Sequence, residues 1–312
     1  MTIHYTDDDI NNIIQNGFDF SFNKDVLEKI QKLSDQVGDP EYIRTPQFSK
    51  KNHKVSEEDW EAIRNFKKTE IIKKEGVEAS SDIIRKYLNK LTTKTYEVLS
   101  VKIIDEIKSV CKSKNISDVN SCGEDADITK IGNDIFAISS SGLFYSEMYA
   151  KLYILLMSEF NFMETLLRVN FSDFRKVFRT IKYCDPNKDY DGFCDNNKAN
   201  EKRRSLGLFY VNLMLHNAIE KDDIMDIIIE LQDFFVEKLE EEDKCSIVDE
   251  LSELIFVMVK HCHEICKKDG DDKWRLIFSN LKNISELKRG AMKSITNKTI
   301  FKHMDIMDII RT

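Results

Sequence analysis

Proline and glycine are scarce, with three prolines and ten glycines in 312 residues. Both interrupt regular backbone, so their scarcity favours long helices. Long apolar runs are missing too. The longest, such as LIFVMV at 254–259, fall far short of the roughly 20 residues that cross a bilayer and suit a buried helix instead. The opening MTIHYTDDDI has neither a basic region nor an apolar stretch, so the expectation is no secretion signal and no membrane partner, which points to the cytoplasm or nucleus, with the cytoplasm as the expected location. Seven cysteines, an odd number without such a signal, argue for reduced thiols rather than a disulfide framework. A net charge of −8 gives nucleic acid no long-range attraction, so any RNA contact needs a local basic patch. The motifs GxxxxGK[ST], GxSxG and HExxH do not occur; nothing positive supports an enzyme or a cofactor.

What is there is helical periodicity. Residues 1–79, with GFDFSF, GDPEYIRTP and SKKNHK, carry no long periodic face except around Leu27, Ile30 and Leu33, and read as a mostly irregular arm with short binding elements. From Ser80 onward apolar residues recur three and four positions apart, the spacing that aligns side chains on one helix face. Ile83, Ile84, Tyr87, Leu88 and Leu91 make the first stripe; Tyr96, Leu99, Ile103, Ile104 and Ile107 make the second, and Tyr145, Met148, Leu152, Leu155 and Leu156 a later one. About ten such segments with short connections predict an all-α domain over 80–312, built of antiparallel helix pairs stacked side by side into a solenoid, with a compact bundle as the other arrangement.

Three landmarks in this region carry a resemblance. RKYLNKLTTKTYEVL at 85–99 contains an intact LNKLT, KRRSLGLFYVNLML at 202–215 contains RRSLG, and the chain closes on IFKHMDIMDIIRT. Together and in this order they resemble the middle domain of eukaryotic translation initiation factor 4 gamma. Departures are Tyr96, where the family usually has Phe, and Leu208 and Phe209, where it has a more polar pair. The resemblance implies a right-handed solenoid of about five HEAT-type helix pairs without a catalytic site, which binds and stimulates a DEAD-box RNA helicase. It assigns helicase binding to Leu88, Leu91 and Tyr96, although these also lie on the stripes that pack the first helix pair, and to Trp60, about 25 residues before the motif, with folding back onto the solenoid as the other use of that ring. Tyr5 and Ile10, in YTDDDINNI, are similar to the YxxxxL peptide that grips a messenger cap-binding protein, with Asn11 where an apolar residue belongs. RNA contact falls on Lys288, Arg289 and Lys293, within a basic run from Lys282 to Arg311 that also reads as a solvated face. Scaffolds of messenger decay and of nuclear cap binding share the expected fold, and a helical adaptor regulated by calcium is the reading from another class.

Two clusters invite metal. NKDYDGFCDNNK at 187–198 places Asp189, Asp191, Gly192 and Asp195 at calcium-loop offsets, but position one is Asn187 and the closing position is Lys198 where a bidentate Glu is needed. It is expected to be an acidic connection, 184–200, between a helix ending near Tyr183 and one starting near Glu201. HCHEIC at 261–266 gathers His261, Cys262, His263 and Cys266, yet no second Cys/His cluster offers the remaining zinc ligands. The expectation is no bound metal.

Overall fold

The structure is a computed structural model, and it describes residues 6–16, 22–37, 75–114, 125–268 and 271–311. The chain divides into two units, Met1–Ile71 and Ile72–Thr312. All regular structure among the described residues is helical.

In the first unit the described residues form two helices, α1 (Asp7–Asn16) and α2 (Lys24–Val37). This part of the arm is thus more regular than its composition suggests. α1 starts where Thr6 and Asp9 exchange hydrogen bonds, the Thr6 N–H donating to the Asp9 carboxylate at 2.9 Å and the Asp9 N–H to the Thr6 hydroxyl at 3.3 Å. That reciprocal pair satisfies donors which a helix start leaves open.

The described residues of the second unit form ten helices. They are α3 (Val77–Leu88), α4 (Tyr96–Ser113), α5 (Ala126–Ser139), α6 (Ser146–Glu159), α7 (Asn161–Arg179), α8 (Tyr190–Leu215), α9 (Lys221–Glu240), α10 (Cys245–Cys266), α11 (Asp272–Ser285) and α12 (Asn297–Arg311). Their ends are chemically marked. Asp125 accepts from the N–H groups of Asp127 and Ile128, and Asp271 from that of Lys273, each an N-cap. α8 stops where Asn217 turns left-handed, at φ 61°, and the N–H groups of Asn217 and Ala218 return to the carbonyls of Met214 and Leu213.

Packing follows a regular order. α3 packs on α4, α5 on α6, α7 on α8, α9 on α10 and α11 on α12, and every helix from α3 to α10 also packs on the helix two places ahead. The predicted apolar stripes supply these contacts, and one continuous core runs from Ile84 to Ile310. Each fully buried Leu or Ile in it contributes about 1.5–3 kcal/mol. At its centre Phe136 of α5, Tyr153 of α6 and Phe209 of α8 meet edge to face at 5.8–5.9 Å, and Tyr210 stacks on Phe171 and Phe174 of α7. Gly132 and Gly207 allow close approach: a Cβ on Gly132 would sit 2.8 Å from Phe162 of α7, and one on Gly207 would sit 2.9 Å from Leu254 of α10.

The segment expected to be a loop to residue 200 is helical from Tyr190. Asp189 accepts from the Gly192 N–H at 2.9 Å and caps α8, so the polar stretch 190–200 is the opening part of that helix. Its polarity reflects exposure: Asp191, Asp195, Lys198, Ala199 and Glu201 all face solvent.

Candidate partner-binding surface

The LNKLT segment is the turn that closes the first helix pair. Leu88 ends α3, the N–H groups of Lys90 and Leu91 donate to the carbonyls of Tyr87 and Leu88, and the Thr95 hydroxyl accepts from the Thr92 N–H while donating to the Lys90 carbonyl, both at 2.9 Å. Threonines at 92 and 95 therefore replace backbone partners that a turn of this length lacks. Leu88 is fully buried and Leu91 nearly so. Neither offers its side chain to a partner; both hold the turn in place. Tyr96 is half-buried against the core, and burial, with a smaller contribution from neighbouring Glu97, pushes its phenol above the ordinary range. Among the groups that this hairpin presents to solvent are Asn89, Lys90, Thr93, Lys94, Glu97, Val98 and Val101.

The next turn carries an aromatic tip that periodicity did not isolate. Phe144 is 87% exposed and stacks edge-on against Tyr145 at 4.7 Å. Tyr145, read as part of a buried stripe, instead precedes α6 and is itself exposed. The one signal for this tip was LFY following SSSG, three large apolar residues just after a small polar run.

RRSLG faces inward. Arg203 is 5% exposed and its Nε donates to the Val177 carbonyl at 3.0 Å; Arg204 pairs with Glu250 of α10 at 2.7 Å; Ser205 is fully buried; Gly207 is the close contact with α10. Burial lowers the Arg203 pKa and raises that of Glu250. Leu208 and Phe209 are buried as well, so the polar pair of the related pattern is replaced by core residues.

The basic run is largely neutralised by its own acids. Lys282 pairs with Glu286, Lys293 with Glu242, and Lys298 and Lys302 with Glu253, at 3.2–3.8 Å. Lys288 and Arg289 are exposed and form no ion pair among the described residues. Ile10 lies on α1, 47% exposed beside the more open Ile14, and on α2 Val26, Leu27, Ile30 and Leu33 are exposed too. Tyr5 and Trp60 lie outside the described residues.

Neither suspected metal cluster is assembled. Asp189 is spent as a helix cap and Asp195 pairs with Lys198 one turn later. Cys262 and Cys266 point into the core of α10 while His261 is on the exposed side with its Nδ1 at the Val257 carbonyl. Among the described residues no group of three or more His, Cys, Asp or Glu side chains is placed to hold an ion, and no helix is long and apolar enough to cross a membrane.

No protein-family model matches the chain, and no curated protein sequence matches it significantly.

Proposed function

We propose that the chain is a scaffold of translation initiation: residues 77–311 form a right-handed solenoid of five HEAT-type helix pairs that binds and stimulates a DEAD-box RNA helicase, and the N-terminal arm recruits a messenger cap-binding protein. The observation that carries this reading is the order of packing, in which consecutive helices pair and each helix also stacks on the one two places ahead, the contact pattern of stacked helical repeats. The two sequence landmarks support it by their positions. LNKLT closes the first pair and RRSLG is wedged between the third and fourth pairs, both structural joints where a repeat family needs particular residues.

The mechanism is positional. A stack that touches both lobes of a helicase lowers the free energy of the arrangements it fits and so shifts the helicase population toward them; no residue of the scaffold takes part in hydrolysis. Leu88, Leu91 and Tyr96 act through the hairpin they hold, Trp60 and the tip at Phe144 are anchors of the kind interfaces favour, and RNA contact falls to Lys288 and Arg289, with Lys293 shared with Glu242.

The test is reconstitution. Purified chain should bind the initiation helicase of its own source at micromolar concentration and raise its ATPase rate, while a decay-type helicase from the same source should bind less. Failure to bind the initiation helicase overturns the proposal, and preference for the decay helicase replaces it with a scaffold of messenger turnover. Tyr5→Ala should remove the cap-binding protein from the assembly and leave the helicase in it; equal retention of both would refute the role of the arm.

A further inference from the structure

A second surface stands apart from the LNKLT hairpin. Between α5, α7 and α8 lies a groove of about 430 Å³, within the roughly 300–1,000 Å³ of sites that take small ligands or peptide anchors. Its apolar lining comes from Phe136 and Ala137 of α5, Val177 of α7 and Leu206 of α8. Neutral polar side chains, Asn133, Ser140, Asn170 and Thr180, share the lining with two cations from α8, Lys202 and Arg203.

The lining of this groove is one-sided in charge, although the Glu250 carboxylate, which is not part of the lining, also acts on Arg203. In a chain of net charge −8, none of the described residues lining it is acidic. Lys202 is exposed and enters no ion pair among the described residues, in contrast to most lysines of α9 to α12. Arg203 is 95% removed from solvent, at 5% exposure, and its guanidinium donates from Nε to the Val177 carbonyl and from Nη1 to the Asn200 amide oxygen. A guanidinium has five N–H donors, and the remaining ones reach no acceptor among the described residues. A buried cation with spare donors, beside a solvent-facing one and against an apolar wall, is a receptor for a carboxylate that carries an apolar neighbour.

We propose that this groove docks an acidic, apolar-tipped peptide segment of a partner protein. A carboxylate of that segment pairs with Lys202 and takes the open donors of Arg203, and an adjacent Leu, Ile, Met or Phe side chain lies on Ala137, Val177 and Leu206. Arg203 also anchors the end of α7 through Val177, so the site is built into the joint between the second and third helix pairs and is pre-organised. This assignment does not depend on the helicase reading; it concerns a different surface and a different class of ligand.

The experiment pans a phage-displayed library of random dodecapeptides against the full chain. The expected result is enrichment of peptides that set Asp or Glu within one helical turn of a large apolar residue, with affinity falling as salt rises. Synthetic copies of the enriched peptides should bind at least about tenfold more weakly to K202E and to A137R. Both substitutions sit on solvent-facing positions, and an unchanged thermal midpoint shows that each variant is folded. Absence of enrichment, enrichment of basic or uncharged peptides, or binding equal to wild type in both variants overturns the proposal. Binding of a uridine dodecamer that is lost in K202E, with no peptide selected, would assign the groove to RNA instead.

Discussion

The phenol of Tyr149, on α6, donates to the backbone carbonyl of Leu88, at the end of α3, over 2.9 Å in a buried setting. Leu88 is the first residue of LNKLT, so a side chain 61 positions away holds the carbonyl at which the first helix pair turns. Tyr149→Phe keeps the ring and removes only the donor. The carbonyl keeps the Leu91 N–H as its other donor, so losing the phenol's hydrogen bond should cost about 0.5–1.5 kcal/mol, read as a lower urea midpoint with an unchanged slope. Leu88→Ala should cost more, about 2–5 kcal/mol, because it leaves a cavity. If both variants lose helicase binding in proportion to lost stability, the motif is a structural joint; loss of binding in fully folded Tyr149→Phe would mean that the turn itself moves.

Gly207 in RRSLG tests the joint between α8 and α10. A Cβ there would lie 2.9 Å from Leu254 Cδ1 and 3.3 Å from Met258 Cγ, and both neighbours are fully buried. Gly207→Ala gains up to about 1 kcal/mol of helix propensity but incurs overpacking of about 1–3 kcal/mol, so a net loss near 1 kcal/mol is expected. Adding Leu254→Ala should recover the overpacking part. A double-mutant cycle that shows no coupling would mean that the glycine is not there for close approach.

How much of this was legible in sequence follows from where the information sits. The stripes that contain Ile84 and Leu88, and Leu99 and Ile103, announced their helices because burial repeats with the helical period. The start of α8 was hidden because Asp189, a helix cap, resembles a calcium ligand when read in one dimension, and because residues 190–200 are largely exposed or half-buried and carry no sustained apolar stripe to reveal a helix. Phe144 was hidden for the opposite reason, since an apolar residue is expected inside. Leu88 and Leu91 were marked by resemblance, but only the fold shows that both side chains are buried. The groove at Arg203 draws on α5, α7 and α8, and no linear pattern joins Ala137, Val177 and Lys202.

Acid should loosen the last helix pairs through His303. Its ring is 1% exposed, stacked near Phe235 at 5.1 Å, with Nδ1 beside the Thr299 carbonyl and the Ser252 hydroxyl. Burial pushes its pKa down from 6.5 to about 4. The unfolded chain therefore takes up this proton before the folded one does, and stability present above pH 6.5 is lost as pH falls toward 4. Over that window the loss amounts to about 3 kcal/mol. Urea midpoints measured from pH 7 to pH 4 should decline, and His303→Leu should flatten the decline. An equal decline in the variant would move the acid sensitivity to other groups.

The pair Arg204–Glu250 should behave as a buried ion pair whose members are worth little together and are costly apart. The two side chains meet at 2.7 Å with 25% and 9% exposure, and Glu250 Oε1 is buried with no hydrogen-bond partner. Burial already raises the carboxyl above its ordinary 4.5, and the charges of Arg204 and Arg203 oppose that rise. Arg204→Met removes the contacting cation and should cost about 3–5 kcal/mol near neutral pH. With that cation gone the folded pKa of Glu250 climbs further, so the folded state holds a proton that the unfolded state releases near 4.5. The deficit of Arg204→Met should accordingly be small in acid and grow as pH rises through that range toward the new folded value. Adding Glu250→Met removes the stranded charge, and the double variant should regain most of the stability and lose this pH dependence. If the double variant is as unstable as Arg204→Met at pH 7, packing of the arginine stem rather than its charge holds α8 against α10.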